Sequence, residues 1–573
     1  MKKGILRAGM TILLMVCVHV IASEDLMGGF VEGFGTSFRV ENSLYQNFTL
    51  ESSIPVRVLI RSVPNMITLQ FDSVGAGRTA LISIQGLPTN SLFHLYRDDL
   101  YNHDTLLVDG QGKGAFSLDL NECRTIIIQP RPSTLFLRED GWYHSTAVKG
   151  VLDKIVGEDS LAWDPENRIA RLNADIHQTI QIEVDSATID GQGYSVVPNV
   201  AQGMYLTRRK KLTIRNFRFT NCTFAMYSLL DSSLITNCAF EKNVIGIYST
   251  AQSKDLVISN NTFRDNNLMT PGMGVCVDNL SACDIVDNTF ENQGHGIYLV
   301  KSATNSKGIV QITGNLVQGN LRGIGVSGNS QGSVLAYVRS NIITANKTGI
   351  LAVRGNDIRI EENTISANDT GIVLQMCKTS LVRGNQVLGN TLFGIRLIGK
   401  ADSACSENLV VGNMVKHSDR GISLDTNSIN NLVYQNSFEN NENATFSSVG
   451  QNKFDNGPTW GGNWWSDWPE GEPRIMNNGL CIDFHPFATE EFPRETEVPF
   501  TTLSLPSPNG RNGWFTQDVM VSFASSDGGS GIWKTSYLVQ NGTSQVTRSY
   551  TGPFAVVTEG RNTLTYNAID NLG

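Results

Sequence analysis

The stretch Ile258-Ser-Asn-Asn261-Thr-Phe263 returns as Ile285-Val-Asp-Asn288-Thr-Phe290, Ile312-Thr-Gly-Asn315-Leu-Val317, Val338-Arg-Ser-Asn341-Ile-Ile343 and Ile360-Glu-Glu-Asn363-Thr-Ile365. The Asn column continues through Asn385, Asn413, Asn436 and Asn452, and two earlier copies carry Phe217 and Cys238 at its position. A second marker, glycine followed by an apolar residue, runs out of phase with the first. It reads Gly203-Met204, Gly246-Ile247, Gly274-Val275, Gly296-Ile297, Gly323-Ile324, Gly349-Ile350, Gly371-Ile372, Gly394-Ile395 and Gly421-Ile422, with Ala225-Met226 filling one gap. The mean interval is roughly 24 residues, and a fixed period of this length decides a fold.

Each unit holds short runs of alternating apolar and polar residues broken by Asn and Gly, with nothing long enough for an amphipathic helix. Two or three strands of three to five residues cannot pair within one unit, so the unit must stack on its next copy. The result is a parallel coil: all-β, with apolar columns inside and glycines where the backbone turns sharply or crowds a neighbour. Asn at a tight turn tolerates left-handed backbone angles. Its amide can bond the same amide one coil away, which satisfies groups that burial would otherwise leave unpaired. At ~4.8 Å per strand, about twelve coils make a rod on the order of 55 Å long.

These two ladders resemble the right-handed parallel β-helix repeat of pectate-lyase-like proteins and of the NosD-type carbohydrate-binding proteins and sugar hydrolases. Thr188-Ile189-Asp190-Gly191-Gln192-Gly193 looks like the opening coil of such proteins. Gly461-Gly-Asn463-Trp464-Trp465-Ser466-Asp467-Trp468 is similar to the GGNYWSDY segment that closes NosD-like helices, with Trp464 where that segment has Tyr. The resemblance implies a right-handed single-stranded β-helix over residues 185–495 with its C-terminal cap. It leaves the activity open among lyases, epimerases, hydrolases and non-enzymatic surface proteins.

The whole chain is 573 residues, with 54 acidic and 45 basic side chains and a net charge of −9, too long for one core and too apolar for disorder. An acidic balance, with no basic run beyond Arg208, Arg209, Lys210 and Lys211, argues against nucleic acid as a partner. Lys2, Lys3 and Arg7, then the apolar run Met10 to Ala22 and the small-residue exit near Ser23, form a signal-peptide layout over residues 1–23. That layout predicts a secreted or cell-surface protein with no membrane span once the segment is removed. Past it stand Cys123, Cys222, Cys238, Cys276, Cys283, Cys377, Cys405 and Cys481, none in a CxxC spacing. We read them as small buried hydrophobes in successive coils.

Around the coil, residues 38–138 alternate strand-like runs with turn residues and predict a β-sandwich. Residues 139–184 predict a lead-in that caps the first coil's open edge. Residues 497–573, with Gly513-Trp514-Phe515-Thr516, Asp527-Gly-Gly-Ser530-Gly531-Ile532 and Ala568-Ile-Asp570-Asn571, look like an Ig-like module of surface proteins, read as cut short at residue 573.

Catalysis on such a coil needs carboxylates in register and a proton carrier beside them, with Ca²⁺ as cofactor if the reaction is a lyase's. The candidates are Asp278, Asp284 and Asp287, with His295 and Lys301 one coil later. A DPHD-type epimerase signature is missing; Asp164-Pro165-Glu166 precedes the repeat and lacks the His. The histidines stand singly along the chain, so no metal site is expected. Trp460, Trp464, Trp465 and Trp468 offer faces for stacking sugars, or else plug the apolar end of the last coil. Sequons at Asn47, Asn221, Asn260, Asn346, Asn368, Asn443 and Asn541 suit an exported protein and arise by chance in an Asn-rich repeat. The first reading is a surface β-helix protein presenting a rigid face to a polysaccharide or cell-surface glycan. The alternatives are a lyase, C5-epimerase or glycoside hydrolase on the same coil, and a structural surface-layer or adhesin element.

Overall fold

The computed structural model describes residues 30–41, 43, 45–63, 66–75, 77–98, 103–129, 134–145, 152–197, 202–249, 253–266, 272–278, 282–300, 309–328, 335–441, 443–446, 451–468, 472–476, 481–495, 497–541 and 544–572. The expected signal segment lies outside them. The chain divides into two compact units, one of residues 1–133 with 145–152, the other of residues 134–144 with 153–573.

In the first unit, eight strands form one antiparallel sheet. Its 16-residue strand Phe48–Val63 pairs through its first half with Thr79–Gln85 and through its second with Met66–Phe71. Phe30–Val40 follows it along both halves, with a bulge between Gly35 and Ser37. Strands such as Thr79–Gln85 and Lys113–Asp119 bury alternate residues, as strands with one wet face do. Both halves fill a single core that includes Phe38, Leu50, Ile60, Phe71, Ile82 and Ile126. The eight strands are thus joined into one hydrogen-bonded sheet through the long Phe48–Val63 strand. Thr134–Arg138, inside the 38–138 bounds read from sequence, pairs in parallel with Thr179–Ile182 in the second unit. Four of its five residues are buried, which suits a parallel sheet covered on both faces better than a half-exposed antiparallel strand.

The second unit is the β-solenoid, of about 11 turns. Three long sheets of 15, 13 and 12 strands run along it, here called I, II and III. A typical coil contributes Leu256–Ser259 to sheet II, Thr262–Arg264 to sheet III and Met273–Asp278 to sheet I. Like stacks on like. On sheet III, Phe219, Phe240, Phe263, Phe290, Val317, Ile343, Ile365, Val387, Val415, Phe438 and Trp465 stand in unbroken register. None of them is more than 3% exposed. Sheet II stacks Ile235, Ile258, Ile285, Ile312, Val338, Ile360, Val382, Val410 and Val433 in the same way, and sheet I stacks Ile297, Ile324, Ile350, Ile372, Ile395 and Ile422. At the lead-in, Leu161–Asp164 and Ile169–Leu172 form a hairpin that opens sheet II, and Thr179–Ile182 is itself a rung of sheet I.

At the corner between sheets II and III, the side-chain oxygen of each Asn accepts the backbone N–H of the Asn one coil before. The chain of bonds runs from Cys238 through Asn261, Asn288, Asn315, Asn341, Asn363, Asn385, Asn413 and Asn436 to Asn463, at 2.9–3.2 Å. Two details differ from the sequence reading. Asn452 is not a rung of this ladder; it ends a separate one at the corner between sheets I and II, after Asn408 and Asn431. The left-handed residue is also not the Asn but its predecessor: Asn260, Asp287, Gly314, Ser340, Glu362, Gly384, Gly412 and Gln435 have φ between 53° and 71°. The Asn is spared that backbone strain and supplies only its amide. A third ladder, unforeseen, turns the corner from sheet III to sheet I through Asn243, Asn266, Gln293, Asn320, Asn346, Asn368 and Asn390.

The glycine column answers to crowding. A Cβ on Gly246, Gly296, Gly323, Gly349, Gly371 or Gly394 would lie 2.6–2.7 Å from the carbonyl oxygen of the glycine one coil on, and one on Gly421 would meet Asn441 and Phe438. Among the described residues no disulfide joins the cysteines; those from Cys222 to Cys481 are buried, and Cys123 is partly exposed.

At the far end of the solenoid Trp465 stacks on Phe438 with centroids 4.4 Å apart. Beyond it the second unit continues into two three-stranded antiparallel sheets, Phe500–Ser504 with Val519–Ser526 and Phe554–Val556, and Ser544–Ser549 with Ile532–Asn541 and Thr563–Asp570. Their shared core is Val521, Phe523 and Tyr537.

Candidate functional site

Of the sequence-predicted residues, Asp284 and Asp287 belong to sheet II and the II–III corner, whereas Asp278 and His295 stand at opposite ends of two adjacent sheet I strands. Asp284 points outward from sheet II between Val257 and Gln311, half-buried, and its carboxyl is pushed up by burial and by the charge of Asp255. Asp287 sits at the II–III corner with φ 54°, its Oδ1 2.2 Å from where a Cβ on Gly314 would be. His295 opens the sheet I strand His295–Val300 and is fully buried, with neither ring nitrogen hydrogen-bonded among the described residues. Its ring lies 5.3 Å from that of Tyr298. Burial, aided by the Arg322 charge, lowers its pKa to about 3, so it is neutral at physiological pH. Asp278 ends a sheet I strand; its side chain, and Lys301 altogether, lie outside the described residues. No group of three or more His, Cys, Asp or Glu that could hold a metal occurs among the described residues.

The tryptophans divide by role. Trp465 continues the inward column, donates its Nε1–H to Asp483 Oδ2 at 2.9 Å and lies under the Arg474 guanidinium at 4.4 Å. Trp468 also lies near Arg474, at 5.3 Å, and donates to the Glu472 carbonyl. Trp464 is half-buried in the last rung of sheet III, and Trp460 donates to the Gly529 carbonyl of the C-terminal sheets at 3.1 Å. On sheet I, the outward file Tyr205, Tyr227, Tyr248 and Tyr298 is at most 4% exposed, so these rings present no open platform.

An open concavity lies instead on the II–III corner of the first coils. It holds about 610 Å³ and is lined by Gln192, Gly193, Asn216, Arg218, Asn237, Ala239, Asn260 and Thr262, with Phe217 and Cys238 beneath. Register explains it. Arg218, Ala239 and Thr262 are successive residues of one outward file on sheet III, and the small Ala and Thr leave a hollow beside the long Arg. Its other wall is the left-handed turn column Asn216, Asn237 and Asn260, with φ of 54–59°. Asn216 is committed: its Nδ2 and the Arg215 Nε donate to the two oxygens of Asp190, at 2.9 Å each. Burial alone would raise the Asp190 pKa, but the donors Asn216, Gln192 N–H and Arg215 together hold it below the ordinary carboxylate value. Asp190 therefore remains a paired anion under the groove. The Asn237 and Asn260 amides and the Arg218 guanidinium have no hydrogen bond or ion pair within the described residues, and all three are exposed. Two free amides one coil apart offer alternating donors and acceptors along the axis. Sequence reading missed this wall because it followed the buried Asn column. The signal was the residue just before that column, Asn in three consecutive early coils.

Residues 173–307 match the family model described as right handed beta helix region, and residues 272–471 match periplasmic copper-binding protein (NosD). The chain is therefore a right-handed parallel β-helix repeat protein, NosD-like over that later segment. Curated proteins give no match. Among solved structures, the A-module of the mannuronan C-5 epimerase AlgE6 of Azotobacter vinelandii is 14% identical, with TM-score 0.37, over 49% of this chain and 80% of that one. The periplasmic alginate epimerase AlgG is 14% identical, with TM-score 0.33, over 50% and 80%. The catalytic domain of a GH87 alpha-1,3-glucanase is 11% identical, with TM-score 0.29, over 70% and 92%. Likenesses this distant say nothing of activity.

Proposed function

We propose that this protein works outside the cytoplasm as a polysaccharide-binding solenoid, holding an extended glycan along the II–III corner groove. The observation that carries the reading is the pair of unpartnered, exposed amides of Asn237 and Asn260 on one wall of a 610 Å³ hollow. Coil spacing of ~4.8 Å is close to the length of one sugar ring in an extended glycan, so successive coils can meet successive rings. A rigid wall of this kind loses little entropy on binding. Among the described residues, Asp284 and Asp287 lie away from the sheet I strand of His295, and the reading is accordingly of binding. The signal-peptide layout supports the location, and the paired C-terminal sheets fit an Ig-like surface module.

Glycan-array binding of the full chain tests this, followed by titration of the best ligand against an Asn237→Ala/Asn260→Ala double variant. The two amides have no partner among the described residues, so the variant should lose only about 1–2 kcal/mol of stability, from placing Ala in two left-handed turns, while affinity falls about tenfold, or ~1.4 kcal/mol. An array with no bound glycan, or a double variant of undiminished affinity, rejects the groove.

A further inference from the structure

A second surface, on sheet I near the other end of the solenoid, brings two arginines to one phenylalanine ring. Phe393 begins the strand Phe393–Ile398, and register places it opposite Arg420 of the next coil. Arg396, on the same strand, lies opposite Ser423. The guanidinium carbons of Arg396 and Arg420 are 4.5 and 5.2 Å from the centre of the Phe393 ring, so two cations share one phenyl group. Arg396 has no ion pair among the described residues. Among the described residues Arg420 has one carboxylate within reach, Asp419 Oδ2 at 3.8 Å from Nε, too far for a hydrogen bond. That Nε is buried and has no hydrogen-bond partner. One coil earlier, the Asp369 carboxylate is taken by the Thr391 hydroxyl at 3.2 Å.

Two guanidiniums at one ring repel each other, and a cation–π contact with phenyl offsets only part of that. An anion lying across both, held by their terminal N–H groups, would offset that repulsion. Planar guanidinium forks favour carboxylate and similar oxyanions bidentately, where lysine would act only as a point charge. We propose that Arg396, Arg420 and Phe393 form a subsite for a carboxylate carried on a glycan. The sugar is favoured over a free inorganic anion because Leu392, next to Phe393, leaves 48% of its surface exposed, an apolar shoulder on which the C–H face of a ring can rest. This subsite is on sheet I and does not share a residue with the II–III groove, so either can exist without the other.

The test is calorimetric titration of the full chain with a galacturonate trimer, an uncharged glucose trimer and inorganic phosphate, each at low salt and at ~0.3 M salt. Expected are salt-sensitive binding of the galacturonate trimer and a loss of about tenfold or more in Arg396→Ala and in Arg420→Gln. Arg396→Lys should recover only part of that loss. Asn237→Ala/Asn260→Ala should leave the Arg396 dependence intact, which separates failure of this subsite from failure of the groove. Circular dichroism and thermal midpoints confirm that each variant is folded; if Arg420→Gln is not, Arg396→Ala decides. Undiminished affinity in Arg396→Ala overturns the proposal, as does a wild-type protein that ignores the acidic trimer at millimolar concentration. Phosphate binding as tightly as the trimer, with the same Arg396 dependence, overturns the glycan assignment.

Discussion

At the scale of single residues, the amide ladder shows why one carboxylate replaces an amide. Each interior rung, such as Asn315, accepts from the coil before and donates Nδ2–H to backbone carbonyls, here those of Ile285 and Thr313. At the end, Asp483 receives only donors: Asn463 N–H at 2.8 Å, Trp465 Nε1–H at 2.9 Å and His485 N–H at 3.3 Å. An acceptor-only group suits that rung, yet burial outweighs these bonds and raises the Asp483 pKa from 3.8 to about 6. A carboxyl with a raised folded pKa favours the protonated form, so its contribution is complete below the unfolded value and is lost as pH rises through the folded one. Stability from this group should fall by about 3 kcal/mol in all, about 2 kcal/mol of it between pH 4 and 6. Asp483→Asn should therefore match wild type within about 1 kcal/mol at pH 4 and exceed it by about 2–3 kcal/mol at pH 7. Denaturant midpoints of the two proteins at both pH values check this; a constant difference across the range refutes it. The Asn column was readable in the sequence because burial admits few polar residues at a fixed period. Its terminal Asp was not, since residue 483 lies outside the period and reaches the ladder only through the chain's return.

At the scale of elements, the glycine and phenylalanine columns depend on one another. A Cβ on Gly246 would meet the Gly274 carbonyl oxygen at 2.6 Å and the Phe263 ring at 2.7 Å, and Phe263 is stacked 4.7 Å from both Phe240 and Phe290. Phe263→Ala removes the middle of a three-ring stack and should cost about 4 kcal/mol. Gly246→Ala should cost about 2 kcal/mol through overpacking. The double variant distinguishes ring from backbone as the obstacle. Because the carbonyl remains after the ring is gone, its cost should be close to the sum, read from thermal or denaturant midpoints; a double variant as stable as Phe263→Ala alone would mean that the ring was the obstacle. The columns were legible because register in a solenoid converts sequence period directly into contact. The II–III groove was not, for it arises where a long residue, Arg218, precedes short ones, Ala239 and Thr262, on an outward file that has no period to reveal it.

At the scale of the second unit, the C-terminal sheets lie against the flank of the solenoid. The outward residues Leu381, Leu409, Val411 and Tyr434 of sheet II are no more than 1% exposed, packed with Leu432, Trp460, Trp533 and Leu572. Tyr434 donates its hydroxyl to the Asn571 carbonyl at 2.7 Å, Asn456 its amide to the Ser530 carbonyl at 3.1 Å, and Lys534 pairs with Asp357. The sequence shows the reason in retrospect: one outward file of sheet II, mixed through Val257, Asp284, Gln311, Tyr337 and Arg359, becomes three successive leucines, Leu381, Leu409 and Leu432. An exposed file of three leucines would be an aggregation surface, so the file requires a cover. Val411→Lys places an unpaired charge in the middle of that cover, at a cost of several kcal/mol if the contact persists. Undocking is the less costly outcome, since Val411 faces away from the inward column and the coils can remain intact. Limited proteolysis with mass-spectrometric mapping should then show new cleavage between residues 484 and 500 in the variant, with the fragment before it still resistant. An unchanged cleavage map, or wholesale digestion of the solenoid, would mean that the contact does not hold the two parts together in this way.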